Sequence, residues 1–454
     1  MALKDSSRLA RIEVSVPWRR SQLGTVFSAK IIDVDDGLGA AFIALDADSE
    51  GFLRHGDLNL PRHQQGKLSQ HLKAGQSLVV QVHKAPAPGK RLPCTASIGL
   101  AGFHMVFFPH REHIRFSNRF SGNQKLIKSW IRSFEGLKGG WLLRSSSTKV
   151  SKEILEAECR ELVERWEGVC SQVAFSEKVR VLDGMDAHPI RKFLADCLSL
   201  DITNMYLDDE ELFTEVMTWA KGRFPFLCDR IFLHSGDYSL FATYGLDKGF
   251  HDVSQSKTWL KNGGYLLFNQ TDAMTVIDVN SGKSTAGEQK KVQVNLLAAV
   301  AAALQIQLRN LGGIIVIDFI NMKDSTNVEL IEKEFLKSLG DDQKNCRIER
   351  INSFGLLCMS RRRKVSSLWE TMTEPCHTCK GTGYQKALDL VVIELLSDIA
   401  EESPNPEQHL LIHTGSELYS WLQKHDVLGF LNSCSIELKK KSSFHPRQYH
   451  IDLM

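Results

Sequence analysis

Two aspartates stand inside apolar, strand-like sequence, where an ionised carboxylate is costly. Asp278 lies in TVIDV (275–279) and Asp318 in GIIVIDF (313–319). Burying such a charge is unfavourable unless it is paired or bound to a metal. One predicted helix joins the two strands, so we expect them to be neighbours in one sheet and their carboxylates to share a cation. The alternative is that each aspartate only caps the loop that follows it.

Asn280 follows Asp278 by two residues, so it is expected on the same side of the strand. Carboxylate oxygens suit Mg²⁺, which keeps several waters and binds phosphate oxygens at its open positions. A metal held in this way can polarise a phosphoryl oxygen, activate water and stabilise the leaving oxygen. The pattern therefore predicts phosphodiester hydrolysis, with Asp278, Asn280 and Asp318 as catalytic residues and the two aspartates as Mg²⁺ ligands.

The same stretch ends in Gly282, Lys283 and Ser284, which match the end of a phosphate-binding P-loop. That loop requires a first glycine five residues before Gly282, and Ile277 occupies the position. A nucleotide-dependent enzyme is therefore the weaker alternative, and no nucleotide cofactor is expected.

Cys376 and Cys379 form the closely spaced pair among ten cysteines, within CHTCKGTG (376–383). A C-x-x-C motif supplies two of the four ligands that Zn²⁺ prefers, and His377 between them would be a strained further ligand. We predict that a second copy of the chain supplies the other two, which gives a twofold dimer sharing one Zn²⁺. An inert or redox-active pair is the alternative, and no thioredoxin-like strand precedes it.

The secondary structure that must position these residues is predicted to change along the chain, from a barrel to alternating helices and strands. Residues 22–100 alternate short apolar runs with Gly and Asp turns, which predicts a small barrel. Phe42 and Phe52 could form a stacking platform for single-stranded bases on such a barrel, with Lys90 near the phosphates; the alternative is that both rings are core. Residues 121–260 alternate helix and strand patterns, and the stretch 347–361 is predicted as one further strand.

Bulk properties narrow the class of protein. The chain has 454 residues, 43% hydrophobic and 24% charged, so several domains are expected. Its longest apolar run (295–308) is shorter than a membrane span of about 20 residues, and the N-terminus lacks the apolar stretch of a secretory signal. We therefore expect a cytoplasmic protein with reduced thiols and no stable membrane insertion. A net charge of +2 does not by itself indicate nucleic acid.

Several motifs, taken together and in the order in which they occur along the chain, resemble those of the ribonuclease E/G family. The catalytic half of that family is similar to TDAMTVIDVNSG, NLLAA, LGGIIVIDFINM, FGLLCMSRRR and CHTCKGTG, and its RNA-binding barrel to GAAFIALDADSEGFL and SIGLAGFHMVFFP. The resemblance runs from about residue 22 to 384. No single motif would suffice, but the combination is specific.

The resemblance implies a role for each matching residue. Asp278 and Asp318 correspond to the family's Mg²⁺-binding aspartates and Asn280 to the asparagine that assists them, while the cysteine pair matches its inter-subunit zinc link. Phe42, Phe52 and Lys90 match RNA contacts of the barrel. Arg144 and Ser145 resemble the pocket that senses a 5′-monophosphate, a use that suits a guanidinium.

The family also implies an α/β multidomain architecture in which the barrel is inserted into the RNase H-like subdomain. The segments that flank residues 22–100 should therefore pack together. The expected divisions are an RNase H-like subdomain with the 5′-end-sensing region (1–21 and 101–200), an OB-fold barrel (22–100), a DNase I-like catalytic subdomain (201–370), a zinc-link (371–384) and a small C-terminal α/β domain (385–454).

The chain departs from the family pattern at three places: the glycine-bearing sensor loop reads HREHIRFSN (110–118), Asn321 stands where an acid is usual, and the helix after it (328–339) is more acidic. The expected function is a Mg²⁺-dependent endoribonuclease of the shorter, G-type kind. It would cut single-stranded RNA in rRNA or tRNA processing or mRNA decay, as a homodimer or dimer of dimers. A non-catalytic RNA-binding protein of the same architecture is the alternative that these departures favour.

Overall fold

The computed structural model divides into two compact units, Met1–Met372 and Thr373–Met454. It describes residues 1–5, 8–15, 22–47, 49–58, 66–86, 90–134, 138–175, 178–184, 188–271, 273–282, 287–363, 365–374, 376, 378–379, 383–401, 409–425 and 435–453. The predicted P-loop residues Lys283 and Ser284, and His377 of the cysteine motif, lie outside these ranges.

The chain begins with an antiparallel hairpin, β1 (Ala2–Asp5) and β2 (Arg8–Ile12). Ile12 is buried in a small apolar cluster with residues from much later in the chain, among them Val253, Leu308 and Leu368. The first residues are therefore anchored to the region that carries the two aspartates.

Residues 26–95 form the predicted barrel from β3 (Val26–Asp35), β4 (Ala40–Ala44), β5 (Glu50–Arg54), β6 (Ser77–Val82) and β7 (Leu92–Thr95). The strand order is β3-β4-β5-β7-β6, and β6 pairs with β3 to close a five-stranded, OB-like barrel. Alternating inward residues such as Phe27, Ile43 and Leu53 fill its core. The side chain of Gln81 bonds to both Gly24 and Gly99, so the ends of the barrel segment meet.

Residues 100–254 form a mixed α/β region, which includes most of the stretch 121–260 where alternating helices and strands were predicted. Its strands are β8 (Leu100–Ala101), β9 (Met105–Phe108), β10 (Ile114–Phe116), β11 (Gly140–Leu143), β12 (Arg180–Asp183), β13 (Met205–Leu207) and β14 (Ile231–Leu233). Its helices are α1 (Gln124–Ser133), α2 (Lys152–Phe175), α3 (Pro189–Cys197), α4 (Glu210–Arg223), α5 (Leu240–Thr243) and α6 (Asp247–Ser254).

Ion pairs connect these elements through α2. Glu161 on α2 contacts Arg191 of α3, 3.2 Å away, and also Arg223 of α4. Arg165, one turn further along α2, forms two parallel bonds of 2.9 and 3.0 Å to Asp183 of β12. Because β12 also pairs with β3, α2 is tied to the barrel as well as to its neighbouring helices.

The last part of the first unit is a six-stranded sheet in the order β15-β16-β17-β18-β20-β19. Its strands are β15 (Lys257–Trp259), β16 (Tyr265–Gln270), β17 (Met274–Asn280), β18 (Gly313–Asp318), β19 (Cys346–Ile348) and β20 (Leu356–Arg361). Helices α7 (Glu288–Leu308), α8 (Ser325–Leu339) and α9 (Leu368–Met372) accompany it. The two strands that carry aspartates are central, as predicted.

The stretch 347–361 is a hairpin and not the single strand predicted. The chain turns at 352–355, where Gly355 adopts a φ of +84° that favours glycine. Asn352, Ser353 and Gly355 are turn-forming residues, and they separate the two strands.

Helix α7 alone, within the described residues, has the length and composition of a membrane-spanning helix. Helix α7 is longer than the apolar run 295–308, in which no membrane span was predicted. Ala298, Ala302 and Ile306, however, pack in the core between the sheet and α8. Burial on this side is what a central helix of an α/β layer requires, so the composition is weak evidence for a membrane.

The second unit contains α10 (Leu388–Glu401), β21 (His409–Thr414), α11 (Ser416–Lys424), β22 (Ser435–Lys440) and β23 (Tyr449–Leu453). Its sheet has the order β22-β21-β23, with β22 parallel and β23 antiparallel to the central strand. Both helices contribute to one apolar core with this sheet, so the predicted small α/β module is observed.

Candidate active site

The two aspartates lie opposite each other at the ends of adjacent parallel strands. β17 and β18 pair in register from Met274↔Ile314 to Asp278↔Asp318. Neighbouring strands are about 4.8 Å apart, so the two carboxyl groups start from positions one strand spacing apart. The prediction that these residues are neighbours in one sheet is confirmed.

The two faces of this sheet have different environments. Ile277, Ile315 and Ile317 are fully buried against α7 and α8. The alternate residues point to the other face, where Asp278 is half-buried and Asp318 is exposed. The strands are thus apolar because one face is the core, while both carboxylates lie on the open face.

Asn280 is directly linked to this pair. Its Nδ2 donates a 2.8 Å hydrogen bond to Oδ2 of Asp278. The pKa of Asp318 is raised, first by partial burial and then by the negative charge of Asp278. Among the described residues, none donates a hydrogen bond to Asp318. The Asp278 carboxylate is therefore oriented by the amide of Asn280. The Asp318 carboxylate faces the negative charge of Asp278 without a hydrogen-bond donor to offset the repulsion.

This arrangement fits a hard divalent cation. Two carboxylates that share a face and repel each other are stabilised by a cation between them, and Mg²⁺ is usually held by one or two carboxylates with waters in the remaining positions. Within the described ranges, no group of three or more His, Cys, Asp or Glu side chains could hold a metal. A site at Asp278 and Asp318 would therefore depend on water or substrate for its other ligands.

A buried asparagine that was not among the predicted site residues fixes the chain just after Asp318. Asn295 of α7 is fully buried, and its amide donates to the carbonyl of Ile320 at 2.8 Å and accepts from the same residue's N–H at 3.1 Å. The available signal was a polar residue within an apolar helix. Asn295 acts as a positioning residue for the end of β18.

Glycines permit a close backbone approach at the end of β17. Gly282 has a φ of +64°, and a Cβ there would lie 2.3 Å from the carbonyl oxygen of Gly263. A Cβ on Gly264 would lie 2.8 Å from the carbonyl oxygen of Asn280. Gly282, which suggested a P-loop, thus serves a tight backbone crossing beside Asp278.

The barrel places Phe42 and Phe52 side by side. They are directly opposite on β4 and β5, and both are half-buried, whereas their neighbours Ile43 and Leu53 form the core. The guanidinium of Arg91 lies 4.7 Å from the Phe42 ring centroid. Lys90 is exposed. The core alternative for the two rings is therefore not what the structure shows.

Residues 99–364, well over half of the chain, match the model of the ribonuclease E/G family. The chain belongs to this family. Ribonuclease G of Haemophilus influenzae is 27% identical over 88% of this chain and 84% of its own length. Ribonuclease E of Escherichia coli K12 is 29% identical over 91% of this chain and 40% of its own length, and ribonuclease G of the same strain is 25% identical over 88% and 84%. The chain spans most of the G-type relatives and less than half of the E-type ones.

Arg144 and Ser145, which the ribonuclease E/G resemblance assigns to the 5′-end pocket, follow β11. Nη1 of Arg144 lies 3.2 Å from Oδ1 of Asp196, and Arg11 contacts the other oxygen of that aspartate at 3.0 Å. Nε of Arg144 is buried without a hydrogen bond. Ser145 begins a short 3₁₀ turn and is half-buried. The guanidinium is therefore engaged with a carboxylate, while its buried Nε–H donor is unused.

The segment that departs from the family's sensor loop lines an open cavity of about 380 Å³. His110, Arg111, His113 and Arg115 contribute to it, and Trp141 of β11 forms part of the wall. Arg111 stacks over Phe108, 4.7 Å from the ring centroid, and donates to Ser97. The altered loop thus builds a pocket with several cationic or titratable groups.

The cysteine pair belongs to the second unit. Cys376 is exposed and Cys379 is half-buried. Hydrogen bonds from the backbone of Cys379 and Thr378 lower the pKa of the Cys376 thiol. Lowering the pKa favours the thiolate, which is the form that binds metal.

Proposed function

We propose that this chain is a Mg²⁺-dependent endoribonuclease that cuts single-stranded RNA and leaves a 5′-phosphate on the downstream product. Its cellular role would be rRNA or tRNA processing, or mRNA decay, in the cytoplasm. The observation that carries the proposal is the registered pair Asp278↔Asp318 on an exposed sheet face, in a chain of the ribonuclease E/G family.

Asp278 and Asp318 would hold the metal. Bound Mg²⁺ would supply positive charge to the phosphoryl group and lower the pKa of the attacking water. Asn280 would keep one Asp278 oxygen in place through its 2.8 Å hydrogen bond, and its carbonyl oxygen remains available to orient water. Because Asp318 is exposed, the phosphate of an extended strand can reach this face.

The barrel would supply further contacts to the RNA. Phe42 and Phe52 offer adjacent ring faces, and base stacking on such rings is tolerant of sequence. Lys90 would contact phosphate. Of the cations near these two rings, Arg91 is the closest, at 4.7 Å from the Phe42 ring centroid. It also pairs with Glu50 at 2.6 Å. We therefore include Arg91 in the same surface.

Recognition of a 5′-monophosphate would fall to Arg144 and Ser145. The phosphate would have to replace Asp196 as the partner of the Arg144 guanidinium, and the unused Nε donor favours such a ligand. Competition from Asp196 supports weaker selection for the 5′-monophosphate than an unpaired arginine would give.

The cysteine pair would bind Zn²⁺ as half of a shared site. Two thiols leave two of four positions open, and a second copy supplies them most simply. Native mass spectrometry should find one Zn²⁺ per two chains, and Cys376→Ser with Cys379→Ser should lose both metal and dimer. Cys170→Ser, at an exposed thiol in the first unit, should change neither. One Zn²⁺ per chain would contradict the shared site.

The nuclease proposal is tested by cleavage of a 5′-monophosphorylated oligoribonucleotide in Mg²⁺. Asp278→Asn and Asp318→Asn should each reduce kcat/KM by several orders of magnitude, because each removes a metal ligand. Asp237→Asn is the matched control, since Asp237 is an exposed carboxylate on a loop of the same unit. It should leave cleavage unchanged.

Equal cleavage by the wild type and by the double variant of Asp278 and Asp318 would end this assignment. Salt-dependent RNA binding without cleavage by the wild type would instead support the alternative, a non-catalytic RNA-binding protein. The acidic helix α8 and the Arg144–Asp196 pair are the observations that favour it.

A further inference from the structure

Three side chains beside the two aspartates have no place in the function described so far. Lys257 and Trp259 lie on β15, and Tyr265 begins β16. Trp259 pairs directly with Tyr265, and Tyr265 pairs with Asn280. Residues directly opposite on neighbouring strands share a face. The two rings therefore stand on the same open face as Asn280, one and two strand spacings away from it.

The lysine is aligned with the carboxylates in the same way. Lys257 pairs with Leu267, and Leu267 pairs with Asp278, which pairs in turn with Asp318. At about 4.8 Å per strand, Lys257 stands roughly 10 Å from the strand of Asp278 and Trp259 a similar distance from that of Asn280. A base attached to a phosphate at the two aspartates can reach that far.

The trio is arranged as a surface and not as a core. Nζ of Lys257 lies 3.9 Å from the Trp259 ring centroid and 3.7 Å from that of Tyr265. The two rings are 5.3 Å apart at an interplanar angle of 64°. Trp259 nevertheless keeps 64% of its surface exposed. Tyr265 and Lys257 are half-buried. These two side chains therefore support the Trp259 indole, which remains open to a ligand.

A purely structural role explains only part of this. Lysine on an edge strand such as β15 discourages pairing with another chain, and a cation beside a ring adds stability. Neither effect needs a tryptophan that remains largely in solvent. An exposed ring supported by a second ring and a cation suits a nucleobase, whose flat face stacks on aromatics while its phosphate meets the ammonium.

We propose that Trp259, supported by Tyr265, stacks a base of the RNA strand close to the cut phosphate, and that Lys257 contacts the adjoining phosphate. The surface formed by these three residues is called the β15–β16 aromatic subsite. It rests on the proposed function for the position of the cut, but its binding is separable from cleavage.

The test is an abasic scan. A fluorescein-labelled oligoribonucleotide with one cleavage site is prepared with a single abasic nucleotide at each position in turn. Dissociation constants are measured by fluorescence anisotropy in EDTA, where no cleavage occurs, and kcat/KM is measured in Mg²⁺. In the wild type, one position next to the cut should weaken binding roughly tenfold when its base is removed, as expected for loss of one stacked base.

Trp259→Leu keeps apolar bulk and removes the π face. This variant should bind the intact RNA roughly tenfold more weakly, and the abasic penalty at that one position should disappear, because ring and base act as a pair. Trp259→Phe should restore much of the penalty. Phe232→Leu is the matched control: Phe232 is an exposed ring stacked on Tyr206 in a separate sheet, and its loss should leave the profile unchanged.

The outcomes separate the two proposals. Normal cleavage with identical abasic profiles for the wild type and Trp259→Leu would overturn the subsite and leave the nuclease intact. A profile that depends on Trp259 in a protein that never cleaves would support the subsite and overturn the nuclease. Absence of any RNA binding would overturn both. Melting curves of each variant show whether a lost profile reflects unfolding.

Discussion

Asp318→Asn should stabilise the metal-free protein while it abolishes cleavage. The pKa of Asp318 is raised by partial burial and by Asp278, so the folded state disfavours its ionised form. Two charges about 5 Å apart repel by about 1 kcal/mol in water and about 3 kcal/mol at an effective dielectric constant of 20. Because Asp318 is exposed, solvent screening brings the expected gain down to about 0.5–1 kcal/mol.

The sign depends on pH. A carboxyl whose folded pKa is raised lowers stability above that pKa, where both states are ionised, and has no effect well below the unfolded value of about 3.9. Asp318→Asn should therefore raise the Tm at pH 7 by about 1–3 °C in EDTA at low salt. The gain should shrink in high salt and vanish as the pH falls below about 4.

Magnesium should reverse the order of stability. At ten times its Kd, Mg²⁺ stabilises the wild type by about 1.4 kcal/mol, whereas Asp318→Asn has lost one ligand and should gain much less. Differential scanning fluorimetry with and without Mg²⁺ measures both effects, and Asp237→Asn should show neither. A variant less stable than the wild type in EDTA, or equal Mg²⁺ shifts for both proteins, would refute the like-charge pair as a cation site.

Three further substitutions test the frame around the site. Glu161→Gln should destabilise the protein at pH 7, since two arginines outweigh burial and lower the pKa of Glu161; the loss in Tm should shrink as the pH falls below about 4. Arg165→Met should lower the free energy of unfolding by about 1.5–3 kcal/mol in denaturant unfolding, because the half-buried Asp183 loses its two hydrogen bonds to the guanidinium. Gly282→Ala should lower the Tm by an amount equivalent to about 2 kcal/mol, because its positive φ and the Gly263 carbonyl leave no room for Cβ; an unchanged Tm would show that this crossing is adaptable.

The pairing of Asp278 with Asp318 could be predicted because topology restricts it strongly. Two apolar strands joined by one helix of about 20 residues favour a parallel, adjacent arrangement, and the structure has this arrangement with the aspartates in register. The barrel could be predicted equally well, because its short strands and turns follow one another regularly in the sequence. In both cases a local pattern was sufficient to choose the neighbours.

Contacts between distant segments could not be predicted. The pairing of Arg144 with Asp196 joins positions 52 residues apart, and no periodicity marks Asp196 as a partner. The same is true of Asn295, whose amide bonds to Ile320. Its place in an apolar helix showed that it needed a partner, but the partner could only be identified once α7 lay against the sheet.

The β15–β16 aromatic subsite shows a third kind of limit. A three-residue strand such as β15 has no measurable alternation, so sequence cannot decide whether Trp259 faces the core or solvent; only the register with Tyr265 and Asn280 settles it. The result is a sheet with one tightly packed apolar face and one face that carries an exposed tryptophan and two repelling carboxylates. The repulsion between the carboxylates lowers stability and the exposed tryptophan leaves apolar surface in water. Folded proteins carry such features mainly where they serve binding or catalysis. Their concentration on a single face is the reason to treat the carboxylates and the aromatic residues as parts of one RNA-binding surface.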